Sequence, residues 1–329
     1  MSGMRVQGPF GPQTIVGIIQ SMDTLREEAQ ELREVEGLFE GFPFLNDERT
    51  SLIDWMSSYY LVPKGEMASI FYPRYSPPQN KTYRLTRGID QILSEISPRR
   101  KRLREGLAMF AESIPERSFS RDRFQKRSGL SASLFRDLLM QGWLTQEIAL
   151  LECPSHQERK SACEEKFPIL SPQQEQALRG IRSNSSKVSY LHGVTGSGKT
   201  EVYLRLVKQT IQEGKGVIFL VPEISLTPQM IDLFEERFPG SVAVHHSRMT
   251  EREKYHNWVH VLSGEKQIMI GARSALFAPV RNLGLIVIDE EGEGTYKQDT
   301  NPAYDARRVA LEMTRIFGVD LVMGSATPS

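Results

Sequence analysis

The sequence predicts an α/β chain in which a parallel sheet with a phosphate-binding loop occupies 151–329. A linker and winged-helix module over 76–150 and a small β-rich segment over 1–75 precede it. Three observations carry this reading. The stretch VSYLHGVTGSGKT, Val188 to Thr200, has the apolar strand, glycine-rich loop and helix start of a phosphate cradle. Downstream of Leu170, apolar runs recur with helical segments between them, as in a parallel sheet covered on both faces. Upstream, helical patterns end in the turn Gly142-Trp143-Leu144, which fits a winged helix.

At the N-terminus, short β-type runs at Arg5 to Gln7 and Thr14 to Gln20 are separated by Gly and Pro. Next, Leu52, Trp55, Met56, Tyr59 and Tyr60 recur at helical spacing, with Asn46 or Asp47 as the cap. Trp55 and Tyr59 are read as core. The proline-rich stretch Phe71 to Asn80 reads as a linker.

Helical patterns follow at Gly88 to Ile96, Lys101 to Ser113 and Ser131 to Gln141, the last in the recognition position. Lys81 to Gly129 holds thirteen Lys/Arg against six Asp/Glu, including Arg99, Arg100, Lys101, Arg102 and Arg104. Such a segment follows phosphates or forms a solvated helix surface, and winged helices also dock proteins.

Strand candidates in the C-terminal half are Val188–Leu191, Val217–Val221, Val242–His245, Ile268–Ile270, Leu285–Ile288 and Leu321–Met323. Ligands are expected at the carboxyl ends of such strands. Gly193, Val194, Thr195, Gly196, Ser197 and Gly198 are expected to cradle phosphates through backbone N–H groups. Lys199 is expected to reach the β- and γ-phosphates of ATP, and Thr200 to hold Mg²⁺. The buried-strand pattern Leu285 to Ile288 ends in Asp289 and Glu290. One carboxylate must hold the metal and a neighbour must orient water, so Asp289 is the metal candidate and Glu290 the water-activating one. Gln174, in LSPQQEQAL, is placed to read an adenine edge, with a solvated helix-start glutamine as the alternative. LVPEISLTPQ and GARSALFAP offer Thr227, Gln229, Arg273 and Ser274 to a single-strand backbone.

Composition excludes other classes. Basic and acidic side chains balance at 41 each, so the whole chain has no nucleic-acid signature and any such contact must be local. No run of about 18 apolar residues exists and no signal-peptide core opens the chain, so a cytoplasmic location away from membranes is expected. Cys153 and Cys163 supply neither a disulfide framework nor a structural zinc set.

The strings GVTGSGKTEVYL, LVPEISLTPQ, GARSALFAP, DEEGEGTYKQ, YDARRVA and GSATPS, in this order, resemble the first, RecA-like motor lobe of the PriA family of superfamily 2 replication-restart helicases. RVQGPFG with VGII, and SSYYLVPKGEMASIFYP, are similar to that family's 3′-end-binding domain, and the middle segment to its winged-helix domain. The resemblance implies recognition of branched or single-stranded DNA, ATP-driven 3′ to 5′ translocation, and primosome and single-strand-binding proteins as partners in bacterial cytoplasm. It implies that Gly324, Ser325, Ala326 and Thr327 link nucleotide state to DNA. Tyr296 to Arg307, with Lys297 and Arg307 as DNA contacts, would be the family's coupling loop.

Three departures shape the expectations. The second lobe, with its arginine finger and cysteine-rich zinc insertion, lies outside the sequence, so turnover is expected to be slight and zinc is not expected. Gly292 stands where the family pattern has His. The family's Phe-Asp-Tyr stretch would precede Met1, leaving Arg5, Arg33 and the Tyr59 to Gly65 loop for backbone contacts. The alternative class is a non-enzymatic fork-binding or primosome-docking module with a regulatory or vestigial ATP site. A metabolic kinase would leave LVPEISLTPQ and GSATPS unexplained.

Overall fold

The computed structural model describes residues 2–21, 35, 37–75, 80–113, 119–149, 167–194 and 196–326. Arg33, Cys153, Cys163, Thr195 and Thr327 lie outside the described residues. The order of elements is β1 (Arg5–Phe10), β2 (Gln13–Ile18), β3 (Gly37–Leu38), α1 (Asp47–Tyr60), α2 (Lys64–Ser69), β4 (Asn80–Leu85), α3 (Ile89–Glu95), α4 (Lys101–Ser113), β5 (Phe119–Ser120), α5 (Arg121–Ser128), α6 (Ala132–Met140) and β6 (Leu144–Ala149). The C-terminal half continues with α7 (Pro172–Ser183), β7 (Val188–His192), α8 (Lys199–Gln212), β8 (Gly216–Leu220), α9 (Pro228–Arg237), β9 (Val242–His245), α10 (Glu251–Ser263), β10 (Ile268–Gly271), β11 (Leu283–Asp289), β12 (Lys297–Gln298), β13 (Tyr304–Asp305), α11 (Ala306–Phe317) and β14 (Asp320–Ser325).

Six strands form a parallel sheet in the order β7-β14-β11-β8-β10-β9. Successive side chains along a strand point to opposite faces, and both faces here are apolar. Ile218, Leu220, Met269, Ile286, Ile288 and Leu321 belong to one core. Their alternates Val217, Phe219, Ile268, Ile270, Val287 and Val322 belong to the other, together with residues of α8 and α9. The first core also takes in residues of α10 and α11 and, from the N-terminal segment, Leu52, Ile53, Met56, Met67 and Phe71.

The N-terminal segment is thus fastened to the motor sheet. Arg49 of α1 donates from Nη1 to the Phe277 carbonyl (3.2 Å) and from Nη2 to the Ala278 carbonyl (2.9 Å). The Phe71 and Phe277 rings lie 4.8 Å apart. The linker expected over Phe71 to Asn80 is corrected in both described parts: Phe71 and Tyr72 are buried and Asn80 opens β4. Phe71 and Tyr72 are large aromatic residues with an apolar surface to cover, and that outweighs the neighbouring prolines. Tyr59 is corrected as well. The α1 face that turns inward carries Leu52, Ile53 and Met56, which leaves Tyr59 half exposed and stacked on the partly buried Trp55 at 4.9 Å.

The middle module has its own core of Tyr83, Ile92, Leu103, Leu107, Phe110, Phe119, Phe124, Phe135, Leu138 and Trp143. Its described residues form four helices and an antiparallel sheet in the order β5-β4-β6, where the sequence pattern predicts three helices. The helix not anticipated is α5, RDRFQKRS, whose periodicity is hidden because Phe124 is its single buried apolar side chain. Gly129 (φ +64°) ends α5 in the left-handed region, and Ser131 caps α6. Within the basic run, Arg100 pairs with Asp137 (2.6 Å) and Arg104 donates to the carbonyls of Leu93 and Ile96. Arg99, Lys101 and Arg102 remain exposed.

Candidate nucleotide and nucleic-acid sites

Strands β7, β14 and β11 are neighbours, so the segments that follow their carboxyl ends converge. The loop after β7 opens onto α8, which starts at Lys199 with Gly198 at its N-cap and no side-chain cap. Its first N–H groups therefore face the loop with the positive end of the helix dipole. Gly198 has φ +81°, a conformation that favours glycine, and a Cβ there would come within 2.2 Å of Gln174 Nε2 and displace that amide.

The side chain of Gln174 completes a capping box with Ser171 and also donates from Nε2 toward the carbonyls of Ser197 and Gly198, each at 3.4 Å. Both ends of its amide thus hold backbone, and α7 is tied to the loop. A cleft of about 270 Å³ lies here, lined by Gln174, Leu191, Gly193, Val194, Ser197 and Lys199 among others.

Lys199 Nζ donates to the Gly193 carbonyl (2.7 Å) and lies 3.7 Å from Glu290 Oε1. Asp289 ends β11. Burial and the charge of Glu290 raise its pKa above the ordinary carboxylate value. Glu290 adopts φ +46°, a left-handed conformation that a non-glycine residue holds only when its surroundings impose it. Ser325 Oγ donates to Glu290 Oε2 at 3.5 Å, and the Gly193 N–H donates to the Ser325 carbonyl at 3.3 Å.

Four further residues surround this turn, and sequence reasoning assigned none of them to it. Tyr296 Oη donates to the Asp289 carbonyl (2.5 Å), with the Leu220 carbonyl at 3.2 Å. Tyr203 of α8 is buried against Gly324, where a Cβ would fall 1.8 Å from its hydroxyl oxygen. Burial and the Asp289 charge keep its phenol neutral. Glu291 is buried and accepts from Tyr190 Oη at 2.9 Å. Burial, then Glu291, pushes the Tyr190 phenol up to about 12. Single apolar or acidic letters inside a strand or turn carry no signal of such contacts; only the third carboxylate of Asp-Glu-Glu stood out.

The expected nucleic-acid residues are divided. Arg273 and Ser274 line a second cleft of about 240 Å³ with Glu223, His245, His246 and Lys254. Arg273 Nη1 donates to the carbonyls of Thr295 (3.1 Å) and Lys297 (2.9 Å). Thr227 caps α9 by accepting from the Met230 N–H, Gln229 is exposed, and Lys297 pairs with Asp299 at 3.6 Å. Arg307 turns inward, forking onto Asp305 and donating to the Glu291 carbonyl at 2.8 Å. In the 296–305 segment, Tyr296 and Tyr304 are core residues. Arg5 is likewise buried, paired with Glu40 and donating to the Pro73 and Tyr75 carbonyls. A third cleft, of about 200 Å³, lies between β2 and the α1–α2 corner and includes Lys64 and Gly65.

Comparison with known proteins places this geometry. Residues 171–329 match the DEAD/DEAH box helicase family model, and residues 1–73 match the 3′ DNA-binding domain model of PriA. Over the full chain, the replication restart protein PriA of Bacillus subtilis is 31% identical, with half of that protein covered. The chain belongs to the PriA family of replication restart proteins. PriA of Chlamydia pneumoniae is 33% identical over 95% of this chain and 43% of its own length. PriA of Synechocystis is 48% identical over 49% of the chain and 20% of its own. The chain thus spans about half the length, or less, of these PriA relatives and matches their N-terminal part, a 3′ DNA-binding domain and a helicase lobe. The helicase match implies ATP binding, and the 3′ DNA-binding match supports DNA binding. No helix among the described residues is long and apolar enough to cross a membrane.

Proposed function

We propose that the chain binds ATP·Mg²⁺ in the cleft at Lys199 and DNA through its N-terminal and middle modules, as part of a 3′ to 5′ helicase that acts in replication restart. The observation that carries this reading is the Lys199 ammonium. It stands between the Gly193 carbonyl and Glu290, at the foot of an uncapped helix N-terminus. An ammonium and free N–H groups that face one cleft are complementary to a polyphosphate.

The adjacent carboxylates also fit a divalent cation. Asp289, its pKa raised by burial and by Glu290, gains most from a nearby positive charge. Asp289 and Thr200 would hold Mg²⁺, which when bound neutralises charge on the phosphate oxygens. Magnesium commonly keeps several water and phosphate ligands, so two protein ligands are enough to place it. Glu290, held 3.7 Å from Lys199, would orient and deprotonate water for in-line attack. Gln174 acts by holding the loop in shape, its amide being engaged by backbone. Arg273 and Ser274 would meet a single-strand backbone at the second cleft, with Thr227, Gln229 and Lys297 as outlying contacts. Arg307 would shape the 289–291 turn. The domain limits proposed are 1–75, 76–150 and 151–329, and any protein partners would be those of the primosome.

Titration with a fluorescent ATP analogue tests the reading. Lys199→Ala is expected to weaken binding about tenfold or more, the loss of a charge-assisted contact. Unchanged affinity in that variant removes the cleft from the functional account.

A further inference from the structure

The residue after the two candidate carboxylates is the most connected point of the region. Glu291 is 6% exposed, so a carboxylate is held out of water directly beside the cleft. Its Oε1 accepts from Tyr190 Oη at 2.9 Å, on the strand that leads into the phosphate loop. Its N–H donates to the Gly324 carbonyl at 3.0 Å, on the strand that inserts between β7 and β11. Its own carbonyl accepts from Arg307 Nη1 at 2.8 Å, and Arg307 is fixed by its fork onto Asp305. Three segments from different parts of the chain thus grip one residue, and the preceding residue, Glu290, carries the left-handed φ of +46°.

A strained backbone persists only when its neighbours over-determine it. On the Asp289 side the restraint is the Tyr296 hydroxyl on the Asp289 carbonyl, and on the other side it is the Glu291 network. The outcome of both is that the Glu290 carboxylate faces Lys199.

We infer that Glu291 is a positioning residue: through Tyr190, Gly324 and Arg307 it holds the turn that aims Glu290 at Lys199. The inference rests on the reading of that cleft as a nucleotide site. Glu291 acts through Glu290.

A double-mutant cycle on nucleotide affinity in the full chain separates positioning from general support. Glu290→Gln removes the carboxylate that competes for Lys199 and is expected to tighten binding of a fluorescent ATP analogue. Glu291→Ala frees the turn and is expected to shift affinity in the same direction by about threefold or more, within the range for residues of one network. In the Glu290→Gln background the Glu291→Ala change is expected to have no effect beyond measurement error; in the otherwise unaltered chain Glu291→Gln, which keeps an acceptor for Tyr190, is expected to leave affinity at the wild-type value. Tyr190→Phe, which removes the Glu291 donor together with the hydroxyl's contact to Ser325, runs the same cycle if Glu291→Ala fails to fold. Additive effects in both cycles overturn the inference while leaving the nucleotide site intact. Absence of nucleotide binding by the unaltered chain, or an unaffected Lys199→Ala variant, overturns the site reading and the inference with it.

Discussion

His245 ends β9 only 8% exposed, at the wall of the second cleft, and its Nδ1 accepts from Trp258 Nε1 at 3.3 Å. Burial pushes its pKa down to about 4, with Lys254 and His246 acting in the same direction and Glu251 against. The unfolded chain therefore takes up a proton near the ordinary histidine value while the folded chain resists it. Stability from this residue is complete above about pH 6.5 and falls as pH drops toward 4, by about 3 kcal/mol in all. Urea unfolding at pH 7 and at pH 4.5 is expected to show a smaller acid loss for His245→Gln, which still offers an acceptor to Trp258, than for the unaltered chain. At the same scale, a β-branched or bulky residue in place of Gly324 has no room beside Tyr203, so the strand end and the α8 aromatic are fixed as a pair.

Helix α1 shows what an element adds beyond its residues. Its N-terminus is set locally, by Asn46 accepting from the Arg49 N–H and by Asp47 and Glu48 in the first turn. Its docking is set at a distance, by Arg49. Burial lowers the pKa of that guanidinium to about 10, and it donates to two carbonyls of the loop after β10. Arg49→Ala would leave the Phe277 carbonyl without its donor in the core, while the Ala278 carbonyl keeps the Val280 N–H, and is expected to cost about 1–3 kcal/mol in urea unfolding. Arg49→Lys would recover part of this, because an ammonium cannot match the planar fork.

The cap and the apolar stripe of α1 were legible in the sequence, as were all six strands of the parallel sheet. The surface the stripe covers was not, because periodicity reports that a face is buried and carries no information on what buries it. The polar helix α5 and the three strands of the middle module escaped for a related reason: with Phe124 as the sole apolar anchor, α5 depends on tertiary contacts that no local pattern records. Around the proposed site, the motifs put Lys199, Asp289 and Glu290 at strand ends that the structure makes neighbours, whereas Gln174 engages loop backbone and Arg307 the Asp305 carboxylate and the Glu291 carbonyl, since side-chain direction depends on neighbours remote in sequence.

For the whole molecule, the cores define the cooperative units. Residues of α1 and α2 share a core with the motor sheet, whereas the middle module is closed around its own aromatic cluster. Native-state hydrogen exchange is therefore expected to protect the amides of 47–69 in step with β8 and β11, and those of the middle module on a separate scale. Exchange of α1 in step with α6 instead of β11 would show that the N-terminal segment is bound to the wrong unit in this account.

The sequence by itself determined the α/β character of the C-terminal half, the glycine-rich loop before α8 and the acidic strand end. Each depends on a short local pattern whose physical cause lies within a few residues. Tertiary structure alone decided that β14, the last strand in the sequence, lies between β7 and β11. That insertion brings Ser325 and Gly324 against Glu290 and Glu291, and so gathers three separate motifs at one place. Strand order is a global property, fixed by how two apolar faces are covered at once, and no segment of the chain carries it alone.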